Sequence, residues 1–177
     1  MASGDTTGTS ATISLKDCAV FDGVDDYVSV DNAAIAELND HQSWSFDVLM
    51  PTLTGVANAA FISTRNSGAF FYIGESGSTG RLKIRLNDGT NNVENTLIFL
   101  TETNWNNVTI VIDEFVAGGC RIYINGVLNK IVDLSTLTTL LNGNALEFGR
   151  QDIINILEKY YSVKLKNVTM SYFGIKS

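Results

Sequence analysis

Residues Trp105 to Leu128 read WNNVTIVIDEFVAGGCRIYINGVL. Val108, Ile110 and Ile112 alternate with Thr109, Val111 and Asp113, and beyond the Gly118-Gly119 pair Cys120, Ile122 and Ile124 alternate with Arg121, Tyr123 and Asn125. A period of two puts successive side chains on opposite faces of a strand, so this stretch predicts a β-hairpin with one apolar face. The expected register sets Ile112 opposite Ile122 and Ile110 opposite Ile124, with Val111 opposite Tyr123 and Asp113 opposite Arg121 on the other face. A one-residue slip would mix the faces, so the alternation pins the parity of the pairing. Asn125-Gly126 tolerates positive φ and ends the second strand in a tight turn.

The rest of the chain reads as strands stacked around this hairpin. Toward the amino terminus, Trp44, Phe46, Val48 and Met50 alternate with Ser45, Asp47 and Leu49, and the single proline, Pro51, closes that segment because it cannot donate to a ladder. Residues 59–64 and 69–73 predict a second hairpin. Leu82, Ile84 and Leu86 then face one way while Arg81, Lys83 and Arg85 face the other. Residues 95–100 and 145–149 predict further strands, and residues 160–175 the last one or two. Asp31 suits the cap of a short helix running to Leu38, residues 131–142 read as a longer connection, and residues 151–159 fit a short helix or a strand start. Ten to twelve short strands with turn residues between them argue an all-β, antiparallel β-sandwich.

Length and charge bound the function. The chain has 177 residues and 45% hydrophobic content, enough for one domain, expected over residues 13–177 behind a polar arm of residues 1–12. Twelve Lys and Arg against 19 Asp and Glu give a net charge of −7, which opposes binding to nucleic acid or anionic lipid. No run is long enough to span a bilayer, and the first residues lack the basic and apolar regions of a secretory signal, so synthesis in the cytosol is expected. Cys18 and Cys120 each fall in an apolar strand pattern and read as buried free thiols rather than a disulfide. The sequons at Asn107 and Asn167 fall inside strands and are read as chance.

The segment Phe21-Asp-Gly-Val-Asp-Asp-Tyr-Val28 resembles the opening motif of laminin-G-like domains in the concanavalin A-like lectin/glucanase family. The alternating strand from Trp44, the hairpin ending Tyr123-Ile-Asn-Gly126 and the late Leu146-Glu-Phe-Gly149 follow in the order that family shows. The resemblance covers about residues 18–175 and implies a concanavalin A-like jelly roll whose first and last strands lie near each other. Lys166-Asn167 stands where the family pattern closes on an acidic pair, and Leu49 where it often has tryptophan. Glycanases of the family carry carboxylates at alternate positions on one strand. No such run occurs here, and adjacent Asp113 and Glu114 would point to opposite faces. His41 is expected in a polar loop before Trp44 with no catalytic partner, so no catalytic residues and no enzymatic activity are expected.

Two surfaces and one turn are candidate binding sites. Tyr123 and Arg121 share the outward face of the hairpin, where an aromatic ring can stack on a sugar. Arg81, Lys83 and Arg85 could recognise an anionic sugar or instead pair with carboxylates of neighbouring strands. Asp22, Asp25 and Asp26 either shape a turn or hold calcium, which the resemblance admits at the sandwich rim although no cofactor is required. Trp44 and Trp105 are expected in the core. The expected function is a non-catalytic lectin-like module for glycan binding or adhesion at a particle or cell surface. The alternative is a virion decoration protein, on a phage capsid or tail, that meets a neighbouring structural protein through its arm and a sheet face in an oligomer or larger assembly.

Overall fold

The computed structural model describes residues 19–22, 27–30, 41–49, 60–64, 68–75, 81–99, 104–140, 145–151, 159–160 and 162–172. Two six-stranded antiparallel sheets pack face to face. The first runs in the order β1 (Ala19–Asp22), β14 (Ser162–Tyr172), β3 (His41–Leu49), β8 (Asn106–Asp113), β9 (Cys120–Ile124), β10 (Val127–Val132). The second runs β2 (Val28–Val30), β11 (Leu146–Phe148), β4 (Ala60–Ser63), β5 (Ala69–Glu75), β6 (Arg81–Asp88), β7 (Asn92–Phe99). A small ladder joins β12 (Arg150–Gln151) to β13 (Lys159–Tyr160). The first strand pairs with the last, Phe21 opposite Val163 and Ala19 opposite Leu165, as the jelly-roll resemblance implies.

Alternation in the sequence becomes burial in the fold. On β3, Gln42, Trp44, Phe46 and Val48 are buried and the residues between them half-buried; on β6, Leu82, Ile84 and Leu86 are buried. Val108, Ile110 and Ile112 of β8 and Ile122 of β9 face the same core, which β5 closes from the other sheet with Phe71 and Ile73. At about 1.5 to 3 kcal/mol for each large side chain removed from water, this set of residues holds the two sheets together. Trp44 donates its indole N–H to Gln42 at 2.7 Å, so the largest core side chain leaves no polar atom unpaired. Leu134, Leu137 and Leu140 of the connection after β10 are also buried. That connection is tied to the β6–β7 turn by Asp88, whose carboxylate accepts from the backbone N–H and the hydroxyl of Thr138, both at 3.2 Å.

The central hairpin keeps its expected parity but not its expected register. Ile110 pairs with Ile122, Val108 with Ile124, Thr109 with Tyr123 and Val111 with Arg121, a shift of two residues. The turn sets it. Asp113 donates its backbone N–H to Gly119 at 2.8 Å and Gly119 donates to Val116 at 3.0 Å, so Asp113 lies opposite Gly119 instead of Arg121. A Cβ on Gly119 would collide with the carbonyl oxygen of Glu114, and Glu114 itself takes φ 116°. Ile124 is consequently near the end of the ladder and only partly buried.

Other expectations are corrected similarly. His41 is the first residue of β3, opposite Asp113, and not in a loop, because the ladder with β8 extends to the end of its partner. Trp105 precedes β8 and is 36% exposed, whereas Trp44 is 1% exposed. Val127–Val132 is a full edge strand paired with β9, although its sequence VLNKIV lacks clean alternation; a bulge between Leu128 and Lys130 accounts for the broken period. The strand expected at residues 95–100 begins at Asn92. The arm at residues 1–12, the helix expected after Asp31, Cys18, Asp25 and Asp26 lie outside the described residues. Among those described, no helix is long and apolar enough to cross a membrane.

Candidate functional site

The outward face of the first sheet gathers side chains that alternation alone points away from the core. Asp47, Ser45 and Ser43 come from β3, Asn107 and Thr109 from β8, and Tyr123 and Arg121 from β9, all half-buried. Asp47 is the hub. Its Oδ1 accepts from Asn107 Nδ2 at 2.9 Å and its Oδ2 from Asn167 Nδ2 at 2.7 Å, from strands on either side. Asn167 reaches it from a bulge in β14 between Lys166 and Thr169, where it takes φ 52°; such an irregularity re-aims one side chain of an otherwise regular strand. Lys166 stands opposite Asp47 in the ladder.

The neighbouring row is made of hydroxyls and one ring. Ser45 Oγ lies 3.3 Å from Thr109 Oγ1, and the ladder continues from Thr109 to Tyr123. The turn that follows β9 braces this row, since Asn107 donates its backbone N–H to Asn125 Oδ1 at 2.8 Å and Asn125 returns its own N–H to the Asn107 carbonyl at 2.8 Å. A carboxylate held in plane by two amides, with hydroxyls and an aromatic face beside it, can accept hydrogen bonds from a polyol and stack against its carbon skeleton. Among the described residues the other carboxylate on this face, Asp113 at the far end of β8, meets Arg121 at 3.5 Å, while Glu94 and Glu147 belong to the other sheet.

A family model described as the concanavalin A-like lectin/glucanases superfamily matches residues 22–171. The chain belongs to that superfamily. No curated protein matches its sequence. Among solved structures, this concanavalin A-like chain is similar to the binding domain of Paraclostridial Mosquitocidal Protein 1, with 16% identity and a TM-score of 0.66 over 97% of this chain and 44% of that one. It therefore spans less than half the length of that protein's chain. It is also similar to domain 4 of AbnA, an extracellular arabinanase of Geobacillus stearothermophilus solved with arabinotriose, at 14% identity and TM-score 0.62 over 96% of this chain and 78% of the other. A third likeness is the CBM40 of the Ruminococcus gnavus IT-sialidase bound to α2,3 sialyllactose, at 13% identity and TM-score 0.61 over 90% and 93%. At these identities the likeness establishes a shared fold.

Within this concanavalin A-like sandwich the residues predicted as sites do not form one group. Tyr123 and Arg121 lie on the outward face of the first sheet, whereas Arg81, Lys83 and Arg85 lie on the outward face of the second, across the full thickness of the core. Lys83 Nζ is 2.8 Å from Glu94 Oε1; Arg85 Nε is 3.6 Å from Glu94 Oε2 and donates to Asn92 Oδ1 at 2.7 Å, with its guanidinium 5.2 Å from the Phe70 ring centre. Lys83 and Arg85 of the basic stripe are thus engaged by β7, the cross-strand alternative that the sequence left open. Arg121 still meets Asp113, but diagonally, at 3.5 Å and well exposed. Asp22 ends β1 opposite Ser162. Among the described residues no group of three His, Cys, Asp or Glu converges as a metal would require. Sequence reasoning did not read Asp47, Asn107 or Asn167 as binding residues: Asn107 and Asn167 entered it as chance sequons and Asn167 as a departure from the family's closing acidic pair, and each looks like an ordinary outward polar residue of its own strand.

Proposed function

We propose that this protein is a non-catalytic, lectin-like module that binds glycan on the outward face of its first sheet. The observation that carries this reading is the Asp47 carboxylate held between Asn107 and Asn167, two residues along β3 from Ser45, where the hydroxyl row that leads to Tyr123 begins. The solved structures with arabinotriose and with sialyllactose support it, because both are sandwiches of this fold with saccharide bound. An open face suits such a ligand: sugar hydroxyls exchange bonds with water for bonds with fixed protein groups, and a ring packs its C–H face on tyrosine. The test is a glycan array on the purified chain, run with and without calcium, for the wild type and Tyr123→Ala. Binding that Tyr123→Ala loses supports the reading, and an array with no bound glycan in either condition refutes it.

A second reading, assembly onto a neighbouring structural protein of a virion or other particle, is favoured by the edge strand β10. Val127, Leu128 and Ile131 are large, apolar and exposed there, and exposed apolar edges are surfaces that proteins use for one another. Light scattering of the full chain and of a chain lacking residues 1–12 tests it, since assembly through this edge gives a mass above the monomer that Leu128→Ser with Ile131→Ser removes.

A further inference from the structure

Resting on the glycan reading of this face, we infer that the ligand is an oligosaccharide of at least two rings, one stacked on Tyr123 and a linked one presenting hydroxyl donors to Asp47. The ladders set the separation. Tyr123 pairs with Thr109, Asp47 pairs with Asn107, and Asn107 precedes Thr109 by two positions on the same strand face. Two strand spacings and two residue rises place the Tyr123 and Asp47 backbones about 12 Å apart. Side chains stand roughly perpendicular to a sheet, so this separation is carried out to the surface. One sugar ring does not reach across it, and two linked rings do.

The chemistry at the Asp47 end selects what the second ring must offer. Each carboxylate oxygen already accepts one amide hydrogen, from Asn107 at 2.9 Å and from Asn167 at 2.7 Å, and each keeps capacity for one more donor. The bracketing amides hold the carboxylate plane before any ligand arrives, which lowers the ordering cost of binding. An acceptor-only group of this shape matches a pair of adjacent hydroxyls. Between the two ends, the Ser45 and Thr109 hydroxyls, 3.3 Å apart, lie under the linkage and suit a polar bridge between the rings.

Calorimetry of the full chain against β-1,4-gluco, β-1,4-manno, β-1,4-xylo and α-1,5-arabino ladders of one to four rings tests this. In a series that binds, the disaccharide is expected to bind at least tenfold tighter than the monosaccharide, with little further gain beyond three rings. Asp47→Asn and Tyr123→Ala are each expected to weaken disaccharide binding tenfold or more while thermal unfolding shows both variants folded. Asn167→Gly keeps the residue at positive φ, removes the bracketing amide, and is expected to weaken binding several-fold. A monosaccharide that binds as tightly as its oligomers, or disaccharide binding untouched by Asp47→Asn, overturns the inference and leaves the glycan reading in place. Absence of binding both in every ladder and on the array overturns both.

Discussion

Trp44 of β3 stacks on Phe71 of β5 across the interior, ring centres 5.1 Å apart and planes 17° from parallel. Each ring comes from a different sheet, so this contact is a direct measure of how tightly the sandwich is closed. Phe71→Ala is expected to cost about 3 to 5 kcal/mol, the range for deleting a buried aromatic. Urea unfolding followed by Trp fluorescence reads it, and a loss below about 1 kcal/mol would show that the stack is not part of the stabilising core.

Gly119 and Gly126 sit at the two ends of β9 and separate two reasons for glycine. At Gly119 a side chain would meet the Glu114 backbone, which cannot move without opening the turn, whereas at Gly126 there is open space and only φ 77° to satisfy. Gly126→Ala is expected to cost about 1 to 2 kcal/mol, the left-handed penalty alone. Gly119→Ala is expected to cost more, about 3 kcal/mol or above. Equal effects by chemical denaturation would contradict the turn that sets the hairpin register.

Cys120 is a buried free thiol, and burial pushes its pKa up to about 12, with the Arg121 charge opposing only weakly. The thiolate is the reactive form, so native Cys120 is expected to resist maleimide at pH 8 and to label fully in denaturant. Peptide mapping distinguishes it from Cys18. Rapid labelling of Cys120 in the folded protein would place it at the surface instead.

Asp88 should make stability depend on acid. Its carboxyl is held well below the usual carboxylate range, first by the backbone N–H of Asn91, then by the Asn91 side chain, the Thr90 N–H and the Thr138 hydroxyl. A pKa lower in the folded than in the unfolded chain stabilises above the unfolded value, and that contribution is lost as pH falls through the folded one. The melting-temperature advantage of wild type over Asp88→Ala is therefore expected to be full at pH 6 and to shrink steadily toward pH 2. An advantage that is constant with pH would assign the effect to packing.

Which residues of β3, β6 and β8 face inward is legible in the amino-acid order, because a period of two is a property of the strand and survives any partner. The same order also carried the superfamily, through motifs spread from Phe21 to Phe148, and the parity of the central hairpin. It did not determine the register of that hairpin: a shift of two residues leaves every side chain on its own face, so the apolar pattern is blind to it, and the Glu114–Gly119 backbone decided the matter. Nor could it tell that the Arg81, Lys83, Arg85 stripe and the Arg121, Tyr123 pair occupy opposite faces, because sheet membership depends on which strands find one another across the chain. Asp47 and Asn167 show the same limit most sharply. They are 120 residues apart, meet only through antiparallel pairing of the third and last strands, and are aimed at each other by a bulge that no alternation pattern records.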